Sequence, residues 1–317
     1  MNVINIKKAD MKKILSILIF CFGLLTTSVA QDSAEVVNKE APVQKFTRAT
    51  FNATKLINMQ TTEITSPGAM QFMISHHFSY FWNKDEGGQN FAQLFGLNSG
   101  FANTYLSFDY SPIKWMNLGI AASGHSSYEG WAKFKLMRQQ TGAKNYPVSI
   151  ALFSLARGEY SDNIEYDYSS DRYSFMNQLL IARKFSDKLS LEFTPAWIHF
   201  NVVPYGINNS NDVFSLGFGG KYKMTSKLNL TLEYARQLNM YENIITKNGT
   251  IVNFCPDLLS AGIEINTGGH LFQFYISNTI ESSNINQLAR NTSFIKDGQF
   301  ALGFTINRNM NVKKEKD

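Results

Sequence analysis

Leu189-Ser-Leu-Glu-Phe-Thr-Pro-Ala-Trp197 carries the architecture in nine residues. Successive side chains of an extended chain point to opposite sides, so Leu189, Leu191, Phe193, Pro195 and Trp197 share one face, and Ser190, Glu192 and Thr194 share the other. The same alternation returns in Leu228, Leu230, Leu232 and Tyr234 against Asn229, Thr231 and Glu233. It returns again in Leu259, Ala261, Ile263 and Ile265 against Ser260, Gly262 and Glu264, and in Phe300, Leu302, Phe304 and Ile306 against Gln299, Gly303, Thr305 and Asn307. Segments of this kind run from Gly68 onward, close to the roughly 9 to 11 residues that a strand needs to cross a bilayer. The pattern predicts twelve strands, at 68–82, 102–111, 116–125, 130–139, 147–157, 174–185, 189–200, 212–224, 228–238, 257–266, 270–280 and 298–308.

The connections strengthen that reading. Long stretches at 83–101, 158–173, 201–211, 239–256 and 281–297 alternate with tight turns at 112–115, 186–188, 225–227 and 267–269. The short 126–129 and the middling 140–146 break the rule. Outer-membrane barrels have short periplasmic turns and longer extracellular loops, so an even strand count puts both termini on the periplasmic side. The expected fold is therefore all-β, an antiparallel up-and-down transmembrane β-barrel of about twelve strands. Thr267-Gly-Gly-His270 matches a two-residue hairpin loop with positive φ at both centres. Pro147 and Pro195 sit awkwardly inside predicted strands.

The ends have their own logic. Lys12-Lys13, the apolar run Ile14 to Leu25 and the small residues Ser28-Val-Ala30 read as a secretory signal peptide, residues 1–30, with Met11 as the expected start. Residues 31–66 are expected to be a linker leading into one more strand, a periplasmic flap or an inward plug. Residues 67–308 make the barrel, and 309–317 a charged tail. The leader holds Lys7, Lys8, Lys12 and Lys13 against Asp10, so the whole-chain charge of +5 leaves only +2 on the mature chain, and nothing favours nucleic acid as a partner. Cys21 leaves with the leader and Cys255 stands alone, which excludes an internal disulfide. Mean hydropathy is −0.19, as an alternating barrel also requires, and the aromatic content of 14% suits interfacial girdles.

Chemistry is sought first among inward-facing charges. The three-residue turn at 186–188 places Lys184 opposite Ser190 and diagonal to Glu192, and the turn at 225–227 places Lys221 diagonal to Glu233. With Lys223 and Glu264 these residues form a charged belt near the periplasmic end of the lumen, either a neutralising ladder or a selectivity ring. A hydrolase reading rests on His77 and Ser79, which share a strand face as His125 and Ser127 do. In this the chain weakly resembles an outer-membrane phospholipase barrel, and no third orienting group is identifiable. The loop Glu159 to Asp171 is acidic but lacks the spacing of an EF-hand calcium loop. No haem, zinc or phosphate-loop motif appears, so neither cofactor nor metal is expected.

Phe51-Asn-Ala-Thr-Lys-Leu-Ile-Asn-Met-Gln-Thr-Thr-Glu63, followed by Gly68-Ala-Met-Gln-Phe-Met-Ile-Ser-His-His-Phe78, resembles the opening of a Bacteroidetes family of membrane-bound beta barrel domains of unknown function. His77 stands where that pattern has Arg, and Ser79 where it has Gly. The resemblance implies a fold and an outer-membrane location, and brings no activity. The expected role is a small-solute pore or a structural or binding barrel in outer-membrane lipid, with a lipid or peptide hydrolase, or a receptor for a periplasmic or surface protein, as alternatives.

Overall fold

In a computed structural model, the described residues are 43–82, 84, 87, 102–124, 126–161, 165–203, 210–238, 245–247, 250–252, 256–291 and 293–312. The leader, Cys255, His125 and the last tail residues lie outside them. Twelve strands close a barrel: β1 Ala69–Trp82, β2 Ala102–Ile113, β3 Met116–Ser123 and β4 Ser127–Met137. These are followed by β5 Ser149–Glu159, β6 Tyr173–Lys184, β7 Leu189–Phe200 and β8 Asp212–Lys223. The last four are β9 Leu228–Gln237, β10 Leu258–Asn266, β11 His270–Ser277 and β12 Phe300–Asn311. Each pairs antiparallel with its neighbour in sequence, and β12 pairs with β1 to complete the ring.

The wall has inverted polarity. On β7, Ser190, Glu192 and Thr194 are buried inside while Leu191 and Trp197 are exposed outside. Phe108, Ile120, Phe214, Phe218, Leu232 and Phe274 are likewise exposed on the outer surface. An apolar exterior over a largely polar interior is stable only where lipid replaces water outside. The interior is largely polar, with one apolar cluster that includes Phe153, Leu155, Met176, Leu180 and Ile198 and a smaller one of Phe51, Leu56 and Ala182.

The alternation locates every strand of the barrel, and the differences there are local. The strand expected at 130–139 runs 127–137, because Ser126 takes a positive φ of 52° and turns the chain early. The strand expected at 147–157 starts at Ser149, so Pro147 lies ahead of it. Pro195 is a genuine strand residue, and the β6–β7 ladder skips Leu179 and Leu180 between the Gln178–Ala196 and Ile181–Phe193 pairs, at the place where Pro195 offers no N–H. In the 267–269 turn only Gly268 has positive φ, 86°, which matches a turn with glycine at its first centre and corrects the expectation of two such residues. The last strand extends to Asn311, paired through Asn309–Gln71 to Ala69, so the tail expected from 309 begins three residues late.

Among the described residues three connections depart from simple turns and loops, the stretch 239–256 by a short hairpin of Ile245–Lys247 with Thr250–Val252. The middling connection between β4 and β5 is not tight because Gln140–Thr141 forms a ribbon with Lys45–Phe46, and Arg138 donates to the Thr47 carbonyl at 2.9 Å. Much of the stretch expected as an outward loop at 281–297 instead folds into the lumen, over residues 278–291: β11 stops at Ser277, Asn278 and Thr279 are fully buried, and helix α1, Asn284–Ala289, is buried along its whole length. Backbone polar groups survive there because the lumen wall supplies partners.

Candidate functional site

From the ribbon the chain turns into the barrel at its tight-turn end. Of residues 51–62 all but Asn52 are buried. They form a hairpin: Lys55 bridges Gln60, Thr61 N donates to the Thr54 carbonyl at 2.9 Å, and Leu56 N donates to the Met59 carbonyl at 2.8 Å. Residues 51–62 therefore lie inside the lumen and form neither a further barrel strand nor an external flap.

Two wall charges hold this hairpin by its backbone. The Glu233 carboxylate on β9 accepts the amides of Ile57, Asn58 and Met59 at 3.3, 2.9 and 3.1 Å. Opposite polarity meets the other end, where Lys133 on β4 donates to the carbonyls of Thr54, Thr61 and Glu63 at 3.0, 2.9 and 3.2 Å. Hydrogen bonds to an ionised partner are shorter and roughly twice as strong as neutral ones, and these lie away from bulk water. Asp109 supports the clamp, accepting from Trp131 Nε1 at 3.1 Å and from Thr54 Oγ1 at 3.5 Å. Gly217 and Gly219 on β8 make room for the hairpin: a Cβ on Gly219 would meet Leu56 Cδ2 at 2.9 Å, and one on Gly217 would meet Met59 Sδ at 2.8 Å.

The hairpin tip meets α1 in mid-lumen. Gln287 Nε2 donates to Asn58 Oδ1 at 2.9 Å and Gln60 Nε2 donates to Asn284 Oδ1 at 3.0 Å. The Glu129 carboxylate on β4 receives Ser283 Oγ at 2.8 Å and Asn284 N at 2.9 Å, fixing the start of α1. Arg290, at its end, contacts Glu159, which Arg157 also binds at 3.0 Å. Lys55 sits 4.8 Å over the Tyr105 ring. Burial pulls its ammonium down to about 8, against the opposing attraction of Glu129, Glu233 and Asp109.

The sequence-derived candidates take different places. The strand register sets Lys184 against Ser190, and Lys221 against Thr231 with Gly219 against Glu233, so the diagonals lie where the turn lengths put them. The lysines and glutamates do not pair as a ladder: among the described residues Lys184 contacts the Arg48 carbonyl and Asp187, while Lys221 donates to Asn52 Oδ1 at 3.1 Å. Glu264 accepts from Asn52 Nδ2 at 2.8 Å and from Gln273 Nε2 at 3.1 Å. Glu192 is buried, and neither of its oxygens finds a hydrogen-bond donor among the described residues. Lys223 is exposed at the rim. Of these six, Glu233 alone accepts backbone amides of the hairpin, while Lys221 and Glu264 reach the segment through the Asn52 side chain.

His77 lies in a hydroxyl chain, its Nε2 3.1 Å from the Tyr275 hydroxyl, which is 2.9 Å from Ser75 Oγ. Asp171 of the acidic loop is engaged locally, accepting Tyr168 N at 3.0 Å. Missed by sequence reasoning were Lys133, Glu129 and Asp109. The signal existed in Glu129-Gly-Trp-Ala-Lys133, but Trp131 shares the face of both charges and blurs which side is lumen.

A family model described as a membrane bound beta barrel domain (DUF5777) matches residues 51–310, from the first buried residue of the hairpin to the last strand. The chain belongs to this family. The match begins at the hairpin, so the hairpin lies within the family's domain. No curated protein matches the sequence. Among solved structures, the KdgM porin aligns with a TM-score of 0.44 at 9% identity over 75% of this chain and 98% of its own. An outer membrane channel from Pseudomonas putida F1 aligns with a TM-score of 0.44 at 11% identity over 78% and 98%.

Proposed function

We propose that this chain is an outer-membrane barrel for small solutes that rests closed, with residues 50–65 as its plug. What carries the reading is the clamp of Glu233 on the tip amides and Lys133 on the base carbonyls. A segment held mainly by hydrogen bonds to a polar wall leaves, on withdrawal, a lumen that water can wet. A segment meant to stay would more naturally share a continuous apolar core. The tight-turn end, where both ends of the described chain lie, faces the periplasm, and residues 1–30 direct export through the secretory route. Twelve strands enclose a lumen between that of eight-stranded barrels, which fill themselves, and the open channels of sixteen or more. Occupancy of the lumen therefore decides conduction.

Planar-bilayer recording compares the mature chain with a variant lacking residues 43–66. The expected outcome is a quiet or rarely opening full-length protein and steady channels from the deletion. Closure of both forms overturns the pore and leaves a structural or binding barrel. That second reading draws on the packing of Met59, Ile285 and Leu288 into the apolar sector. His77 and Ser79 enter neither reading.

A further inference from the structure

We infer that the tight-turn mouth of the barrel is a binding site for a phosphate group, presented either by a free anion or by a lipid headgroup. A cavity of about 140 Å³ opens there between the wall and the hairpin, several times the roughly 30 Å³ that a water molecule occupies. Lys184, Lys221 and Lys223 line it, with the amides of Asn52, Asn229 and Asn266.

The strand register explains why three cations meet. Ser190 on β7 pairs with Lys184 on β6 to one side and with Lys221 on β8 to the other. The two lysines therefore flank one serine in a single row, about 10 Å apart across two strand spacings, and both long side chains reach a point between them. Lys223 is two residues nearer the rim on the same face of β8, since inward positions recur every second residue.

This row is only partly neutralised, Glu264 acting on Lys221 through the Asn52 amide that lies between them. Among the described residues no carboxylate lies within ion-pair distance of Lys221 or Lys223. Lys221 donates to the uncharged Asn52 oxygen, and Glu264 is taken by Asn52 and Gln273. Asp187, the one carboxylate lining the cavity, is fully exposed and 3.8 Å from Lys184, a contact worth little in water. Three ammonium groups outnumber the single carboxylate that lines the cavity, and a compact tetrahedral oxyanion supplies the missing charge and acceptors. The inference uses the hairpin's position in the lumen and does not depend on whether the barrel conducts.

The test titrates inorganic phosphate into the full chain in a neutral, phosphate-free detergent by calorimetry, and repeats it in phosphatidylcholine nanodiscs with and without phosphatidylglycerol. Saturable binding at one phosphate per chain is expected, weakened roughly tenfold or more in Lys223→Gln, whose exposed side chain leaves the Lys221–Asn52 contact intact. Lys114→Gln, which removes a turn-end lysine outside the cavity, is expected to bind as the parent does. Heat-modifiable gel mobility confirms that each variant is folded. Binding in detergent that anionic lipid leaves unchanged identifies a free anion, and binding suppressed by phosphatidylglycerol identifies a headgroup. Absence of saturable binding in every medium, or equal loss in Lys114→Gln and Lys223→Gln, overturns the site.

Discussion

Glu233 and Glu192 show how differently two inward carboxylates on nearby strands behave. Glu233 binds three hairpin amides, whereas Glu192 binds none of the hairpin's donors among the described residues. Glu233→Gln keeps the shape and removes the charge, at a cost of about 1–3 kcal/mol to the seated hairpin. Single-channel recording is expected to show opening roughly tenfold or more frequent in Glu233→Gln, and no change of opening frequency in Glu192→Gln. Equal effects of the two variants would count against the clamp. Lys55 supplies a pH dependence with a definite sign. Seated, its ammonium titrates near 8, below the ordinary 10.5, so the withdrawn hairpin binds more protons between these values. Raising pH from about 8 to 10.5 therefore favours the closed state, by about 3 kcal/mol at most, and lowering it below 8 adds nothing further. Facing Lys55 are Glu129, Glu233, Asp109, Tyr105 and His77, so the control is Lys55→Met, in which the alkaline decline in opening is expected to weaken.

The hairpin and α1 are too short to be stable alone, since isolated hairpins and helices of this length are marginal in water. Each is held by wall carboxylates and by the other. The β8 glycines set the clearance: a Cβ on Gly219 would approach Leu56 Cδ2 and Glu192 Oε1 at 2.9 and 2.8 Å. Gly219→Val is expected to leave the barrel folded, with unchanged heat-modifiable mobility, while limited proteolysis cuts within residues 50–65, which resist cleavage in the parent. Protection of that segment in the variant would show that the hairpin tolerates the added bulk. The β4–β5 connection illustrates the same dependence. Its length broke the turn rule in the sequence, and the reason is the ribbon it makes with Lys45–Phe46.

For the whole molecule, polarity by position separates an apolar lipid-facing surface from a charged lumen, and the closed ring leaves no edge strand unpaired. Sidedness is open to direct measurement. In a Cys255→Ser background, an impermeant maleimide applied to intact cells is expected to label Tyr168→Cys on a long loop, and to reach Lys227→Cys in a tight turn only after the outer membrane is permeabilised. The reverse pattern would invert the proposed orientation.

The barrel, its strand number and the register at the tight turns were legible in the sequence because they depend on period-two alternation and on turn length, both local properties. Lys184 against Ser190 followed from three turn residues. The plug contacts were not legible. Glu233 meets the hairpin amides across 174 to 176 residues of chain, and Lys133 meets its carbonyls across 70 to 79. Backbone amides carry no sequence signature, and which inward charges they reach depends on where closure of the ring brings β4 and β9. The inward fold of residues 278–291 was hidden for the same reason: a polar segment rich in Asn and Ser reads alike whether its partners are water or a barrel wall, and only the closed lumen supplies the wall.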